Sequence, residues 1–330
     1  MSALACVGIT TTAFAQSDIH PDPELLKAMG LLLAGDQAAA LTAAQAAADP
    51  LGLKLVTELT DLARGGYATR GNRAFRELAP LWAMARAAHV AAQPVPANVW
   101  PDRILALSES TPSVLIVDST RNIAWLYERR DTEIWRVTDG FYVTIGRAGA
   151  GKQRRGDRKT PLGVFQITGE EDTRGLPARY GARVLPLDYP TALDRHLRRT
   201  GDGIWLHGID PANNIRPPQD TDGCVAFANA RIEQLAEQLV ADRSLVLVAE
   251  EVRWQPSVLR SPLLQDLRAH MQDYLQRADL PALVPGMDIV LADATTGTWL
   301  VRVHPTGERA RPVRFYWQRA RGEWRLVTSE

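Results

Sequence analysis

The sequence predicts an α+β protein of several domains: a helical N-terminal region, a mostly β central domain and a small α+β C-terminal domain. Three observations carry this reading. From Asp18 to about Ala92 the chain is rich in Ala and Leu with no β-branched runs. From about Pro112 short runs of β-branched and aromatic residues take over, and past Trp254 an amphipathic segment precedes further runs of that kind. At 330 residues the chain is long enough for two or three domains. Its 45% hydrophobic and 23% charged residues exclude a disordered or membrane-embedded chain. No stretch approaches the roughly 18–20 consecutive apolar residues of a spanning helix. Lys and Arg, 38 together, balance 38 Asp and Glu, so the broad attraction that nonspecific nucleic-acid binding needs is missing.

Residues 1–15, MSALACVGITTTAFA, are small and apolar and end in Ala13-Phe14-Ala15, the pattern a signal peptidase recognises before Gln16. They predict a signal peptide and export to the periplasm or cell envelope, although no Lys or Arg precedes the apolar run. Residues 16–110 form the helical region, with Leu25, Met29, Leu32 and Leu33 at helical spacing. Breaks are expected near Ala48-Asp49-Pro50 and Gly65-Gly66, and Pro94, Pro96 and Pro101 punctuate its end. Residues 111–253 form the β domain. Its strands are expected at Val114-Leu115-Ile116-Val117, Ile123–Tyr127, Ile134–Val137, Phe141–Ile145, Val164–Thr168, Gly203–Leu206 and Ser244–Val248. Ile232, Leu235 and Leu239 recur at helical spacing after Asn229, a residue suited to capping. In residues 254–330 the segment Leu263–Leu275 reads as a helix, followed by strands at Thr298–Val303, Val313–Trp317 and Trp324–Val327. The turn Ala320-Arg321-Gly322-Glu323 makes the last two a hairpin, and this ending resembles the closing hairpin of a nuclear-transport-factor-2-like α+β fold.

If the leader is removed, Cys224 is the single cysteine in an oxidising compartment, which calls for either burial or a chemical use. His207-Gly208 and, further on, Thr221-Asp222-Gly223-Cys224 make the densest candidate constellation. A thiol attacks as thiolate, and an imidazole within reach can take its proton and return it to a leaving amine. Gly223 would let the backbone approach a reacting carbonyl, with successive N–H groups facing the oxyanion. Singly, a cysteine is most often a small buried hydrophobe and a histidine a satisfied core or surface residue. A zinc site from His207, Cys224 and Asp210 or Asp222 would need a second close-spaced His or Cys pair, and there is none; no metal and no cofactor are expected. Lys152-Gln153-Arg154-Arg155 with Arg158-Lys159 is a basic cluster that could meet carboxylates or form a solvated loop. The glycines near it lack the phosphate-loop pattern.

His207-Gly208, Thr221-Asp222-Gly223-Cys224-Val225 and Asn229 resemble the active-site signature of the L,D-transpeptidase catalytic domain, the YkuD-like family of bacterial cell-wall enzymes. Ile145-Gly146, Lys152, Gly156-Asp157, Thr160-Pro161 and Gly163 are similar to that family's run before its active site, and Tyr189-Pro190, Asp194-Arg195 and Thr200-Gly201 through Leu206 to the segment leading into its histidine. The resemblance spans about residues 112–250. It implies a cysteine that attacks peptidoglycan stem tetrapeptides between the L-centre of meso-diaminopimelate and the terminal D-alanine, leaving a thioester. An amine acceptor then gives transpeptidation and water gives L,D-carboxypeptidase cleavage. It assigns Cys224 as nucleophile, His207 as base, Gly208 as the carbonyl that orients the imidazole, and the N–H groups of Gly223 and Cys224 as oxyanion donors. Thr221, Asp222, Tyr189, Trp205, Asn229 and Lys152 fall to substrate binding.

This chain has Asp222 where many members have His or Arg, and Ala226 where many have Arg. Both changes remove positive charge, which would weaken recognition of a carboxylate or raise the thiol pKa. Thr221, Arg183, Arg195, Arg198 and Arg199 are the candidates to compensate. The Asp-Gly-Cys variant with helical and small α+β additions resembles a subgroup that includes L,D-carboxypeptidases and amidase-like relatives. A non-catalytic wall-binding module is the alternative of a different class.

Overall fold

The computed structural model describes residues 37–46, 73–96, 99–129, 135–212, 216–256, 261–278, 286–304 and 312–330, with residues 24, 27, 28, 30, 31 and 57. The expected leader, with Cys6, and the helix breaks at 48–50 and 65–66 lie outside the described residues.

The helical region contains α1 (Gln37–Ala46) and α2 (Arg73–Ala91). Strands β1 (Val99–Pro101), β2 (Ile104–Ala106), β3 (Ser113–Asp118), β4 (Ile123–Arg129), β5 (Trp135–Val137), β6 (Phe141–Tyr142), β7 (Ile145–Gly146), β8 (Gly163–Gln166) and β9 (Val184–Pro186) follow. After the short α3 (Ala192–His196) come β10 (Trp205–His207), β11 (Gln219–Thr221), β12 (Val225–Ala226), α4 (Asn229–Gln238), β13 (Leu245–Ala249) and β14 (Trp254–Pro256). The chain closes with α5 (Ser261–Arg277), β15 (Met287–Asp293), β16 (Thr298–Val303), β17 (Val313–Ala320) and β18 (Glu323–Ser329).

The strands stack in three layers. The central sheet runs β5-β4-β3-β13-β8, with β6 also on β4, and β3 and β13 lie parallel, Val114 opposite Leu245. Every residue of β3 and β13 is buried because both faces are covered. The pleat sends Leu115, Val117, Val246 and Val248 one way and Val114, Ile116, Leu245 and Leu247 the other. The first set packs against a layer made from β9-β10-β12 and β7-β11, which an isolated bridge between Thr144 and Ala226 joins, and against Ile232, Leu235 and Leu239 at α4. The second set meets Val290, Ala292, Leu300 and Tyr316 of the C-terminal sheet, β18-β17-β16-β15-β2. On that sheet's far side α5 places Leu267, Met271 and Leu275 against Val301, Phe315 and Trp317, which is the periodicity the sequence shows.

The structure adds elements that the periodicity did not reveal. Strand β15 was not expected, since its burial on both faces removes the alternation that marks a strand. Strands β1 and β2 fall in the segment assigned to the helical region, yet β2 pairs with β15 and β1 with β14. The linker is thereby stitched into the domains that follow it. Asn229 is the first residue of α4 rather than its cap, a position held by Ala228, because the Asn229 side chain is used elsewhere. Helix α2 docks on the β domain through the buried Trp82, edge-on to Tyr142, and through His89, whose Nε2 is 2.7 Å from the Arg121 carbonyl.

One polar cluster pins the C-terminal sheet to the central domain. Asp288 and Arg302, both fully buried, pair at 2.7 Å. Asp288 also accepts from Ser108 N and Thr111 Oγ1, each at 2.8 Å, and Arg302 donates to the Arg243 carbonyl at 2.7 Å. Burial alone would raise the Asp288 pKa, but the Arg302 charge and the His304 contact outweigh it and hold it at about 2.

Candidate active site

In the layer that carries the site, β10 runs parallel to β12, with Leu206 opposite Val225 and His207 opposite Ala226. Leu206 and Val225 point into the core, so strand alternation turns Trp205 and His207, and Cys224 one residue ahead of Val225, to the opposite face. His207 at the end of β10 and Cys224 at the entry to β12 are thereby brought to neighbouring positions of one layer. Both lie within the field of the same two arginines, Arg216 and Arg179.

His207 is 2% exposed, and its Nδ1 lies 2.6 Å from the Gly208 carbonyl. With Nδ1–H donating to that carbonyl, Nε2 is left as the basic nitrogen. Tyr180 sits edge-on to His207 and to Trp205, at 5.1 Å in each case. Cys224 is 8% exposed, and its Sγ lies 3.5 Å from the Gly203 carbonyl. Burial pushes the thiol up to about 11; a backbone hydrogen bond from Trp205 opposes this, the Asp222 charge reinforces it, and Arg216 and Arg179 oppose it. Burial, with the Arg216 charge, drives the imidazole down to about 3 despite the Gly208 carbonyl. The two groups are therefore both uncharged near neutral pH. Iodoacetamide alkylation of the folded protein, mapped to the Cys224 peptide, should accelerate about tenfold per pH unit through pH 10. A rate that levels off between about pH 9 and 10 would show an unperturbed thiol.

The loops around the pair are braced by side chains the sequence assigned to substrate. Asn229 Oδ1 accepts from Ile209 N at 2.9 Å and Ala182 N at 3.3 Å, and its Nδ2 donates to the Ile209 carbonyl at 2.9 Å. Its amide is committed to the backbone that follows His207. Thr221 Oγ1 donates to the Cys224 carbonyl at 2.7 Å and accepts from Gly223 N at 3.1 Å. That bond corrects the expectation for Gly223, whose N–H is held by Thr221 instead of facing an oxyanion. The glycine is required for a different reason: at φ +130° a Cβ would stand 2.9 Å from the Lys159 carbonyl oxygen.

Lys152 is also corrected. It is 4% exposed and its Nζ is 2.7 Å from Asp157 Oδ1, so it closes the 152–157 loop and is no free cation for substrate. Tyr189 belongs to the hydrophobic core, packed on Phe165, with its hydroxyl donating to the Thr200 carbonyl. Trp205 is half-buried beside Tyr180, on the face that His207 occupies. Asp222 is exposed and pairs with Arg147 at 3.4 Å. Three of the four arginines expected to restore positive charge are engaged elsewhere, Arg183 with Glu170, Arg195 with Glu330 and Arg199 with Asp194 and Asp293. Arg179, Tyr180 and Arg216 were missed, since they lie in irregular segments where no periodicity marks them. The similarity at Gly146 and Thr160 has a structural reason: Gly146 N donates to Thr160 Oγ1 at 2.9 Å, and that hydroxyl donates to the Cys224 carbonyl at 3.3 Å.

Gly208 has no room for a side chain, because a Cβ there would lie 2.2 Å from Asn229 Oδ1. Gly208→Ala should displace Asn229 and shift the imidazole, and misplacement of about 1 Å costs roughly a hundredfold in rate. The comparison with Asn229→Ala in kcat, with thermal melts of both, checks this. An unchanged kcat in Gly208→Ala would show that the Asn229 brace does not position His207.

Residues 112–248 match the family YkuD, described as the L,D-transpeptidase catalytic domain. In three dimensions the chain is similar to Bd1075 of Bdellovibrio bacteriovorus, with 19% identity and a TM-score of 0.55 over 70% of this chain and 97% of that one. It is also similar to the helical cell shape determining protein Pgp2 of Campylobacter jejuni, with 16% identity and a TM-score of 0.52 over 74% and 99%. At these identities the likenesses show the fold. No curated protein matches the chain. Residues 112–248, which include Cys224 and His207, are thus the part of the chain that is similar to the L,D-transpeptidase catalytic domain.

Proposed function

We propose that this protein is an exported peptidoglycan L,D-transpeptidase that uses Cys224 on stem tetrapeptides. The observation that supports the reading is the placement of His207, on β10, and Cys224, at the entry to the adjoining β12, with His207 Nδ1 engaged by the Gly208 carbonyl. As Sγ attacks the amide carbonyl between meso-diaminopimelate and D-alanine, its proton passes to His207 Nε2. The S–C bond forms, the C–N bond breaks, and the departing D-alanine amine takes that proton. An acceptor amine then attacks the thioester carbonyl, giving its proton to His207; the new C–N bond forms, the C–S bond breaks, and His207 returns that proton to the departing Cys224 sulfur. The Cys224 N–H serves as an oxyanion donor, while Arg216 and Arg179 supply the positive potential that Asp222 and Ala226 do not.

The deep burial of the pair favours a small acceptor, which makes L,D-carboxypeptidase cleavage by water the second reading. Mass spectrometry of a purified muropeptide tetrapeptide incubated with the protein separates the outcomes. A cross-linked or exchanged product identifies a transpeptidase, and loss of one D-alanine alone a carboxypeptidase. Unaltered tetrapeptide, from protein shown to be folded, would leave a wall-binding module.

A further inference from the structure

A cavity of about 750 Å³ lies between α2, the β5–β6 turn and the start of α4, and Cys224 does not line it. That size is within the range of small-molecule sites. Ala83, Ala87, Val90 and Phe141 give it an aliphatic and aromatic wall, and Arg86 and Arg231 bring two guanidinium groups to it. Arg86 lies over the Trp82 and Tyr142 rings, at 6.0 and 5.7 Å, and Arg231 over the Phe141 ring at 4.5 Å. Among the described residues neither side chain makes a hydrogen bond or an ion pair, and Arg86 Nε is buried without a partner. Asp139 is the carboxylate that lines the cavity, and it acts on Arg231 only through space.

We propose that this cavity binds a carboxylate-bearing peptide, with Arg86 and Arg231 receiving its carboxylates and the α2 face its aliphatic part. The proposal deepens the cell-wall reading and rests on it for the choice of peptide. Burial depresses both guanidinium pKa values, with Tyr142 and Asp139 respectively acting the other way, so an incoming carboxylate would give a close partner to guanidinium groups that now rest on ring faces. Arginine suits this task because its planar fork can take a carboxylate by two bonds. The Tyr142 hydroxyl, beneath Arg86, donates to the Arg216 carbonyl at 3.0 Å. Arg216 is also the residue whose charge acts on Cys224 and His207.

Calorimetric titration of the full chain with the stem tripeptide L-alanyl-γ-D-glutamyl-meso-diaminopimelate, which has no D-alanine to release, tests the proposal. Binding is expected in the wild type. It should weaken about tenfold in Arg86→Met and in Arg231→Met, and about tenfold with a probe whose carboxylates are amidated. Arg86→Lys and Arg231→Lys, which keep the charge, should retain more affinity than the Met variants. Absence of tripeptide binding, equal binding of the amidated probe, or equal affinity in the Lys and Met variants would overturn the proposal. If the Met variants do not fold, the amidated probe on the wild type still decides. Failure of the wild type to release D-alanine from tetrapeptide would sink the reading of Cys224 while leaving the tripeptide titration to stand or fall by itself.

Discussion

Cys224→Ala is expected to lower the release of D-alanine from tetrapeptide by about 10⁴-fold or more, the scale seen when a covalent nucleophile is removed. Its melting temperature should stay within a few degrees of the wild type, because a small buried side chain is replaced by one slightly smaller. His207→Ala should approach the same loss, and the double variant should be no worse than the more damaged single one, since the two groups act on one proton. The pH profile gives an independent check. With the imidazole at about 3 and the thiol at about 11 in the free protein, neither group changes charge between about pH 5 and 9. Over that interval kcat/KM for tetrapeptide should be nearly flat. A bell with both limbs inside it would mean that the resting pair is a thiolate and an imidazolium, and that burial is overcome before substrate arrives.

The second large effect is on stability. Asp288→Ala leaves the fully buried Arg302 guanidinium without its carboxylate, and removing one partner of such a pair costs about 3–5 kcal/mol. The cluster also ties β15 and β16 to residues 108–111 and 243, so the C-terminal sheet should loosen from the central domain first. Protection of β15 and β16 amides in hydrogen exchange would report this. Replacing both residues, Asp288→Leu with Arg302→Met, should recover most of the loss, because two charges no longer need to be desolvated. The same group sets an acid dependence. The Asp288 pKa is held at about 2 in the folded protein against about 3.9 in an unfolded chain. Its contribution is therefore complete above about pH 4 and is lost as pH falls toward 2, and urea midpoints across that range should show it. Asp288→Leu with Arg302→Met should lack that part of the acid sensitivity.

Much of the fold was legible in residue order because local pattern and burial agree there. The strands at 114–117, 123–127 and 245–248 are β-rich runs that end up covered on both faces, and Leu267, Met271 and Leu275 show the spacing of a helix that buries one side. Strand β15 and the strands of the linker were not legible, since their partners are set by long-range pairing that no local pattern encodes. The candidate site divides in the same way. Cys224, His207 and their flanking glycines stand out as residue types with a chemical use. Lys152 also has a suggestive residue type, and its ion pair with Asp157 becomes visible only when the loop closes.

The sequence by itself determined the succession of helical, β and α+β parts, the presence of one thiol and one imidazole in a shared signature, and the absence of net charge. Tertiary structure decided which N–H groups, cations and amides are free to act. Thr221 takes the Gly223 N–H, Asn229 is consumed by the loop after His207, and Arg216 and Arg179 supply the positive field from segments with no pattern of their own. The physical reason is that a side chain's chemistry depends on its partners and its burial. Strand pairing and layer stacking set both, whereas residue order specifies only which groups are available to be placed.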